Sequence, residues 1–365
     1  MIRNNVEIRP FEDCIKKVKY TKKVASQDFK ESGRFPIVSQ EEAFISGYWD
    51  NPDDVFSIDG PVVIFGDHSR HVKYVDFDFV IGADGVKILA PVDDINAKYF
   101  YYYLKSQRIQ SLGYSRHYKV LKEKMVPVPS LADQQRIVDE LDLLSGIVEK
   151  KNAQLMIMGD LEQSVFYEMF DQPDSSSFPV FKLSQLSRQK LSYGSGASAV
   201  EFNGNVRYVR ITDIQEDGTL TENSMSPDSY DEKYLLHEGD ILFARSGATV
   251  GKTFLYNKQD GKSIYAGYLI RFVPDVSVVY PEYIYHFTRS QYYKAFVRAN
   301  AQAVAQPNIN AQQYGNLEIC VPPMSLQKDF VERIMSIDSQ KATIRRSIKV
   351  AQNLLASRLD NYFNV

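Results

Sequence analysis

Two stretches of this 365-residue chain lack proline entirely, from Ile137 to Phe170 and from Val331 to Phe363, although 15 prolines occur elsewhere. Proline breaks helix interiors, so its absence lets each stretch run as one helix of about 33 residues, a rod of roughly 50 Å. Cysteine is almost absent. Cys14 and Cys320 belong to no metal-spaced cluster, which excludes a disulfide framework and predicts two reduced thiols. No apolar run reaches the ~18 residues of a membrane span, and Met1-Ile2-Arg3-Asn4 opens no signal-peptide pattern, so a cytoplasmic protein without membrane association is expected. Charge of one sign is lacking too: the net charge of -3 means that any nucleic-acid binding must come from a local patch.

Catalytic constellations are also missing. Gly247-Ala248-Thr249-Val250-Gly251-Lys252-Thr253 resembles a phosphate-binding loop but has three residues between its glycines where four are needed, and Phe254-Leu255-Tyr256 continues like a strand. Asp228, Asp231, Glu232 and Lys233 imitate a nuclease carboxylate set but sit in one acidic turn. His68 and His71 have ligand spacing without a third ligand nearby. Asn51-Pro52-Asp53 and Gln306-Pro307-Asn308 lack the second proline and the aromatic of an amino-methyltransferase loop, and no Gly-x-Ser-x-Gly elbow occurs. The expectation is a protein that is not an enzyme.

What is present is a repeat. The stretch from Pro127 to Phe170 recurs from Cys320 to Phe363 without a gap, at an offset of 193 (363 minus 170). Val128, Pro129, Gln134, Val138, Leu161, Ser164 and Phe170 return as Val321, Pro322, Gln327, Val331, Leu354, Ser357 and Phe363. Each copy begins with an extended Pro-containing piece, which delays the helix start. Ser130 with Asp133 predicts a capping box in the first copy; Ser325 is the expected cap in the second. Ile137, Leu141, Leu144, Val148, Leu155, Met158, Leu161, Val165 and Met169 form one apolar seam. Ile334, Ile337, Ile344, Ile348, Ala351, Leu355, Leu359 and Tyr362 form the other, interrupted by Lys341. Matched seams on two copies predict that the helices pack together, with Lys341 either a register device or a sign of an irregular seam.

The segments between are strand-rich and turn-heavy. Pro61 to Phe65, Tyr74 to Ile81 and Val86 to Leu89 read as strands in the first, and Val206 to Ile211, Asp240 to Ala244 and Tyr268 to Val273 in the second. Late helices are expected at Asn96 to Leu112 and at Pro281 to about Val297, with Phe100-Tyr101-Tyr102-Tyr103-Leu104 lined up on Tyr283-Ile284-Tyr285-His286-Phe287. The division is 1–128 for the first globular unit, 129–172 for the first helical spacer, 173–322 for the second unit and 323–365 for the second spacer. The fold class is α+β.

Tyr208-Val209-Arg210-Ile211-Thr212-Asp213-Ile214, the run from Gly239 to Lys252, Gln306-Pro307-Asn308-Ile309-Asn310 and Val321-Pro322-Pro323 resemble the specificity subunit of type I restriction-modification systems. Pro36 to Gln40, Phe65 to Arg70 and Gly82 to Leu89 resemble another branch of the same domain type, and the likeness covers essentially the whole chain. It implies two β-rich target recognition domains, each reading half of a split site in double-stranded DNA, each followed by a long helix, the helices pairing as an antiparallel coiled coil. It also implies two methyltransferase subunits docked on the helices, then restriction-translocase subunits, and no cofactor of its own: S-adenosylmethionine, ATP and magnesium belong to the partners. The first unit lacks the Arg245-Ser246-Gly247 to Lys252 loop, so contacts do not transfer directly between units.

Groove readers need Arg, Lys, Asn or Gln aimed at base edges, and loops that let backbone approach the duplex. In the first unit His68, Ser69, Arg70, Arg116, His117 and Lys119 are the candidates. In the second they are Tyr193, Gly194, Ser195, Arg245, Ser246, Lys252, Gln302, Gln306 and Asn308. The alternative from another class is a non-catalytic scaffold whose paired β-rich domains bind proteins.

Overall fold

The computed structural model describes residues 6–110, 113, 115–170, 178–301 and 307–364. The helices are α1 (Ala97–Ser106), α2 (Tyr118–Lys122), α3 (Leu131–Phe170), α4 (Pro281–Phe287), α5 (Gln291–Ala301), α6 (Ala311–Gly315) and α7 (Met324–Phe363). The chain forms two compact units. Unit 1 comprises 1–152 and 346–365; unit 2 comprises 153–345. The long helices are therefore shared: the first half of α3 and the last half of α7 belong to unit 1, and the remaining halves to unit 2. The short polar stretch from Gln172 to Ser177 lies outside the described residues.

α3 and α7 are 40 residues each, longer than the rods of about 33 residues expected, because both begin in the turn directly after the Pro-containing extended piece. Ser130 caps α3: its hydroxyl accepts from the Asp133 N–H at 3.2 Å and donates to the Asp133 carboxylate at 2.8 Å. Ser325 does not cap α7. It lies inside the first turn, where the Pro323 carbonyl accepts from the N–H groups of Leu326 and Gln327.

In unit 1 the strands Ile15–Lys16, Val86–Pro91, Val62–Gly66 and Val72–Val75 form an antiparallel sheet in that spatial order. In unit 2 Ser192–Tyr193, Leu269–Phe272, Ile241–Ala244 and Thr253–Leu255 form the same sheet in the same order. Each unit also pairs its first strand antiparallel with the strand before its long helix, Glu7–Pro10 with Met125–Val128 and Val180–Lys182 with Glu318–Cys320. A short parallel pair recurs as well, Lys23–Val24 with Phe79–Gly82 and Arg207–Val209 with Ser263–Tyr265. The Thr253–Leu255 strand runs where a phosphate-binding loop would need a helix, in keeping with the spacing argument.

The helix register corrects the alignment of the aromatic runs by one residue. The Tyr99 hydroxyl donates to the Pro127 carbonyl at 2.8 Å, and the Tyr283 hydroxyl to the Cys320 carbonyl at 2.6 Å. Tyr99, not Phe100, is thus the partner of Tyr283, and Tyr102 is the partner of His286. The expected single late helices are also shorter than drawn: α1 stops at Ser106, and unit 2 breaks its helix into α4 and α5 at Thr288-Arg289-Ser290.

Both cores close on the same devices. Gln134 is fully buried; its side-chain amide donates to the Asp94 and Pro129 carbonyls, both at 2.9 Å, and accepts from the Asn96 N–H at 2.7 Å. Gln327, 193 residues on, donates to Val278 at 3.3 Å and Pro322 at 2.8 Å and accepts from the Tyr280 N–H at 2.9 Å. These backbone groups lie outside the strands and helices, and the glutamine side chain satisfies them. In unit 1 Phe363 of α7 packs on Tyr99 and Tyr103, with ring centroids 5.1 and 5.9 Å apart. In unit 2 Phe170 of α3 packs on Tyr283 and Phe330 at 4.9 and 5.2 Å.

Within each unit α3 and α7 run antiparallel. Glu140 accepts from Arg358 at 2.8 Å and from the Tyr362 hydroxyl in unit 1. Glu162 and Lys341 pair at 2.7 Å in unit 2. Most seam positions are buried or half-buried. Leu161 is the exception: it is exposed, and Glu162 takes the inward place beside it.

Candidate nucleic-acid interface

The hairpin Val62–Gly66 to Val72–Val75 in unit 1 turns through residues 67–71. Arg70, with φ 65°, supplies the left-handed residue that closes it, and its N–H bonds the Gly66 carbonyl at 2.8 Å. Gly66 is required here because a Cβ would lie 2.2 Å from the Ser69 hydroxyl oxygen. Ser69 donates to the Gln40 carbonyl, and the His68 N–H donates to the Gln40 side chain at 3.1 Å. Asp67 is buried. Its N–H donates to the Gly85 carbonyl at 2.8 Å, its carbonyl accepts from the His117 N–H at 2.8 Å, and its carboxylate accepts from the Tyr118 N–H at 2.7 Å. Around this turn Lys23, His68, Asp84, Lys87 and Arg116 line a polar cleft of about 280 Å³.

The corresponding hairpin in unit 2, Ile241–Ala244 to Thr253–Leu255, turns through residues 245–252. The Arg245 N–H donates to the Tyr268 carbonyl at 3.1 Å, and the Arg245 carbonyl accepts from the Ile309 N–H at 2.8 Å. These are the bonds that Asp67 makes with Gly85 and His117, so Arg245 stands where Asp67 stands and Asn308 where Arg116 stands. The Arg245 guanidinium lies 4.8 Å from the centre of the Tyr193 ring and donates from Nε to the Asn308 side-chain carbonyl at 3.2 Å. Tyr193 is fixed in turn by the Ala311 N–H, which donates to its hydroxyl at 3.1 Å. Gly194 permits this crowding: a Cβ there would sit 2.3 Å from the Tyr265 and Ala266 carbonyl oxygens. Ser246 bridges to Asn308, and the Gly247 N–H reaches the Pro307 carbonyl at 3.0 Å.

The structure thus gathers His68 and Arg116 in unit 1, and Tyr193, Arg245, Ser246 and Asn308 in unit 2. Other candidates serve the fold. His117 is buried with Nδ1 2.9 Å from the Asp67 carbonyl, Ser69 ties the hairpin to Gln40, and Ser195 is buried with its hydroxyl accepting from Ala197. Arg70 donates to the Ile109 carbonyl at 3.0 Å, and Lys119 is exposed on α2. Lys252 is held away from the Arg245 group by Glu216 at 2.7 Å and the Ile214 carbonyl at 3.4 Å. Gln302 and Gln306 lie outside the described residues. Sequence reasoning passed over Lys87, Asp84 and Tyr268; nothing in the string distinguishes the exposed Tyr268 from 23 other tyrosines. Lys23 ends the basic run from Lys16 to Lys23.

Asp228 and Asp231, the imitation nuclease set, spend their carboxylates on turn N–H groups of Ser198, Ser229 and Lys233. Among the described residues no group of His, Cys, Asp and Glu is placed to hold a metal ion. No helix of the described residues is long and apolar enough to cross a membrane.

Two like β-rich units, each offering a polar loop group at one equivalent hairpin, define a duplicated recognition protein. The family model for the type I restriction modification DNA specificity domain matches residues 4–156 and 178–352, and the chain belongs to that family. Its members are DNA-recognition subunits and not catalysts. The chain is 25% identical over 355 residues to the EcoR124I/EcoR124II type I restriction enzyme specificity subunit of Escherichia coli, covering 89% of this chain and 84% of that one. It is 20% identical over 361 residues to the EcoBI specificity subunit of the same organism, covering 87% and 74%. In fold it is similar to the crystal structure of the type I restriction-modification S subunit from M. genitalium, with a TM-score of 0.60, 14% identity and coverage of 99% and 97%.

Proposed function

We propose that the two units each read one half of a bipartite DNA target and that the shared helices fix the spacing between the halves. The observation that carries this is the pair of hairpins held by the same backbone bonds but furnished differently, with Asp67 and Arg116 in one and Arg245 and Asn308 in the other. One frame with two side-chain sets suits one task performed on two sequences. Arg245, stacked on Tyr193 and steadied by Asn308, is suited to guanine, since a guanidinium offers the two donors that O6 and N7 accept. Phosphate contacts from Lys23 and Lys87 supply register without sequence information.

The helices carry the second part of the proposal, the docking of two methyltransferase subunits that bring restriction-translocase subunits with them. Ile157 and Leu161 are 66% and 43% exposed on α3; Val350 and Leu354, 193 residues on, are 68% and 43% exposed on α7. Apolar pairs at i and i+4 form a continuous strip on a helix. The same strip at both repeat positions suits two copies of one partner. In this reading S-adenosylmethionine, ATP and magnesium are bound by those partners, and the complex works in the cytoplasm on the host's DNA.

A random-sequence binding selection with the subunit and its methyltransferase tests the reading. Two separated half-sites with a spacer of fixed length and free sequence are expected, at a spacing on the order of one helical turn, about 34 Å. Arg245→Ala should relax one half only, by about 1–3 kcal/mol of discrimination. A single contiguous motif would sink the proposal.

A further inference from the structure

The two crossings of α3 and α7 are related by the 193-residue repeat, and they are furnished differently. In unit 2 Glu162 of α3 and Lys341 of α7 meet at 2.7 Å with side chains only 9% and 12% exposed. The repeat turns Glu162 into Leu355 and Lys341 into Val148. The Glu140–Tyr362 contact of unit 1, carried eight residues along each helix, brings Val148 to within one residue of Leu355. Leu355 packs against the apolar core of unit 1. One buried crossing is therefore ionic and its counterpart apolar.

We infer that the Glu162–Lys341 pair is a pairing code, which makes α3 choose α7 and reject a second copy of itself. Duplicated helices with matched seams carry a hazard: α3 of one molecule can pair with α3 of another, and α7 with α7. In an α7–α7 pair of the same register each Lys341 would face a Leu355. In an α3–α3 pair each Glu162 would face a Val148. Both arrangements bury two charges away from their cross-helix partner, and a buried charge that has lost such a partner is strongly unfavourable. Only the mixed pair satisfies both charges and keeps Val148 with Leu355. A polar residue at a single seam position is a known means of fixing register and partner in coiled coils. The Glu140–Arg358 pair of unit 1 also crosses between the helices, but with side chains 34% and 44% exposed it is screened by solvent and discriminates weakly; the inward positions Ile334, Ile337, Ile344, Ile348 and Ala351 are apolar and would tolerate either pairing. Asp338, 3.9 Å from Lys341, is exposed and adds charge without discriminating. The consequence is one unit of each kind per pair of helices, and an unlike pair of readers.

A cysteine trap in the full-length chain tests the code without reference to DNA. Ile348 lies midway between residues 341 and 355, so in an α7–α7 pair it faces its own copy. Ile348→Cys in a Cys320→Ser background should give only background levels of disulfide-linked dimer under mild oxidation. Adding Glu162→Leu with Lys341→Val, which makes the two crossings alike, should raise the dimer at least tenfold. Glu162→Met with Lys341→Met, closer to the parent side chains in volume, should do the same, so the result does not hang on one variant folding. The exchanged pair, Glu162→Lys with Lys341→Glu, should return the dimer to background. No rise in either apolar variant, or a rise in the exchanged one, overturns the inference.

Discussion

Units 1 and 2 agree in the buried contacts that close their cores and differ at the hairpin turn. Gln134 and Gln327 hold the same carbonyls and N–H groups, Tyr99 and Tyr283 the same strand carbonyl, Phe363 and Phe170 the same aromatic shelf. At the hairpin the backbone bonds are again common, yet the residue they hold is a buried carboxylate in one unit and a cation on a tyrosine ring in the other. Backbone offers every sequence the same donors and acceptors, so a residue that satisfies it has few substitutes. A residue facing a partner is free to change with the partner. The comparison separates frame from reader without any knowledge of what is read.

The sharpest way to break it is at the glutamines. Gln134→Ala and Gln327→Ala each leave one buried and two partly buried backbone groups without this partner and should each cost about 2–3 kcal/mol, measured by denaturant unfolding. A large loss in one unit beside a negligible loss in the other would show that the frames are not equivalent.

Acid should distinguish the units. His286 is buried beside the Arg289 and Lys341 cations; burial first, and those charges second, push its pKa down from 6.5 to about 3. The folded state therefore holds it neutral while the unfolded chain protonates it near its ordinary value. The stability it lends is complete above about pH 6.5 and falls as pH drops toward 3, by roughly 1.4 kcal/mol per pH unit. Unit 1 has Tyr102 at this place, bonded to Asp142 at 2.6 Å. Hydrogen exchange between pH 7 and 4.5 should show unit 2 loosening first, and His286→Phe should flatten the difference. Equal loosening in both units would count against the assignment.

The smallest change in stability is expected on the helix surface. Ile157→Asp with Leu161→Asp, or Val350→Asp with Leu354→Asp, should alter unfolding by less than about 0.5 kcal/mol. Each should nonetheless remove one of two methyltransferase copies from the assembled complex, as read by mass. Loss of both copies from one pair, or of neither, would contradict two equivalent docking strips.

The repeat, both long helices and the absence of catalytic sets were legible because each is written in local signals: proline placement, seam spacing and motif spacing. Glu162 was not, because a carboxylate beside Leu161 on a helix reads as the outward residue until the opposing Lys341 is known. The loop groups were half legible. Arg245 and Asn308 lie 63 residues apart and were named together only through the family likeness, whereas Tyr268 and Lys87 enter by sheet pairing that no spacing rule reports. Ser195, His117 and Lys252 carry the right chemistry for a reader and are occupied by the fold; only their hydrogen-bond partners tell the difference.

Phe363 gives unit 1 a place in time as well as in space. Its ring completes a core built from Phe11, Phe100, Tyr99 and Ile137, so the first unit to leave the ribosome waits for almost the whole of the chain before it can close. Unit 2, which needs nothing beyond residue 345, can finish earlier. A break in α7 ahead of Phe363 thus leaves the first core without its closing ring.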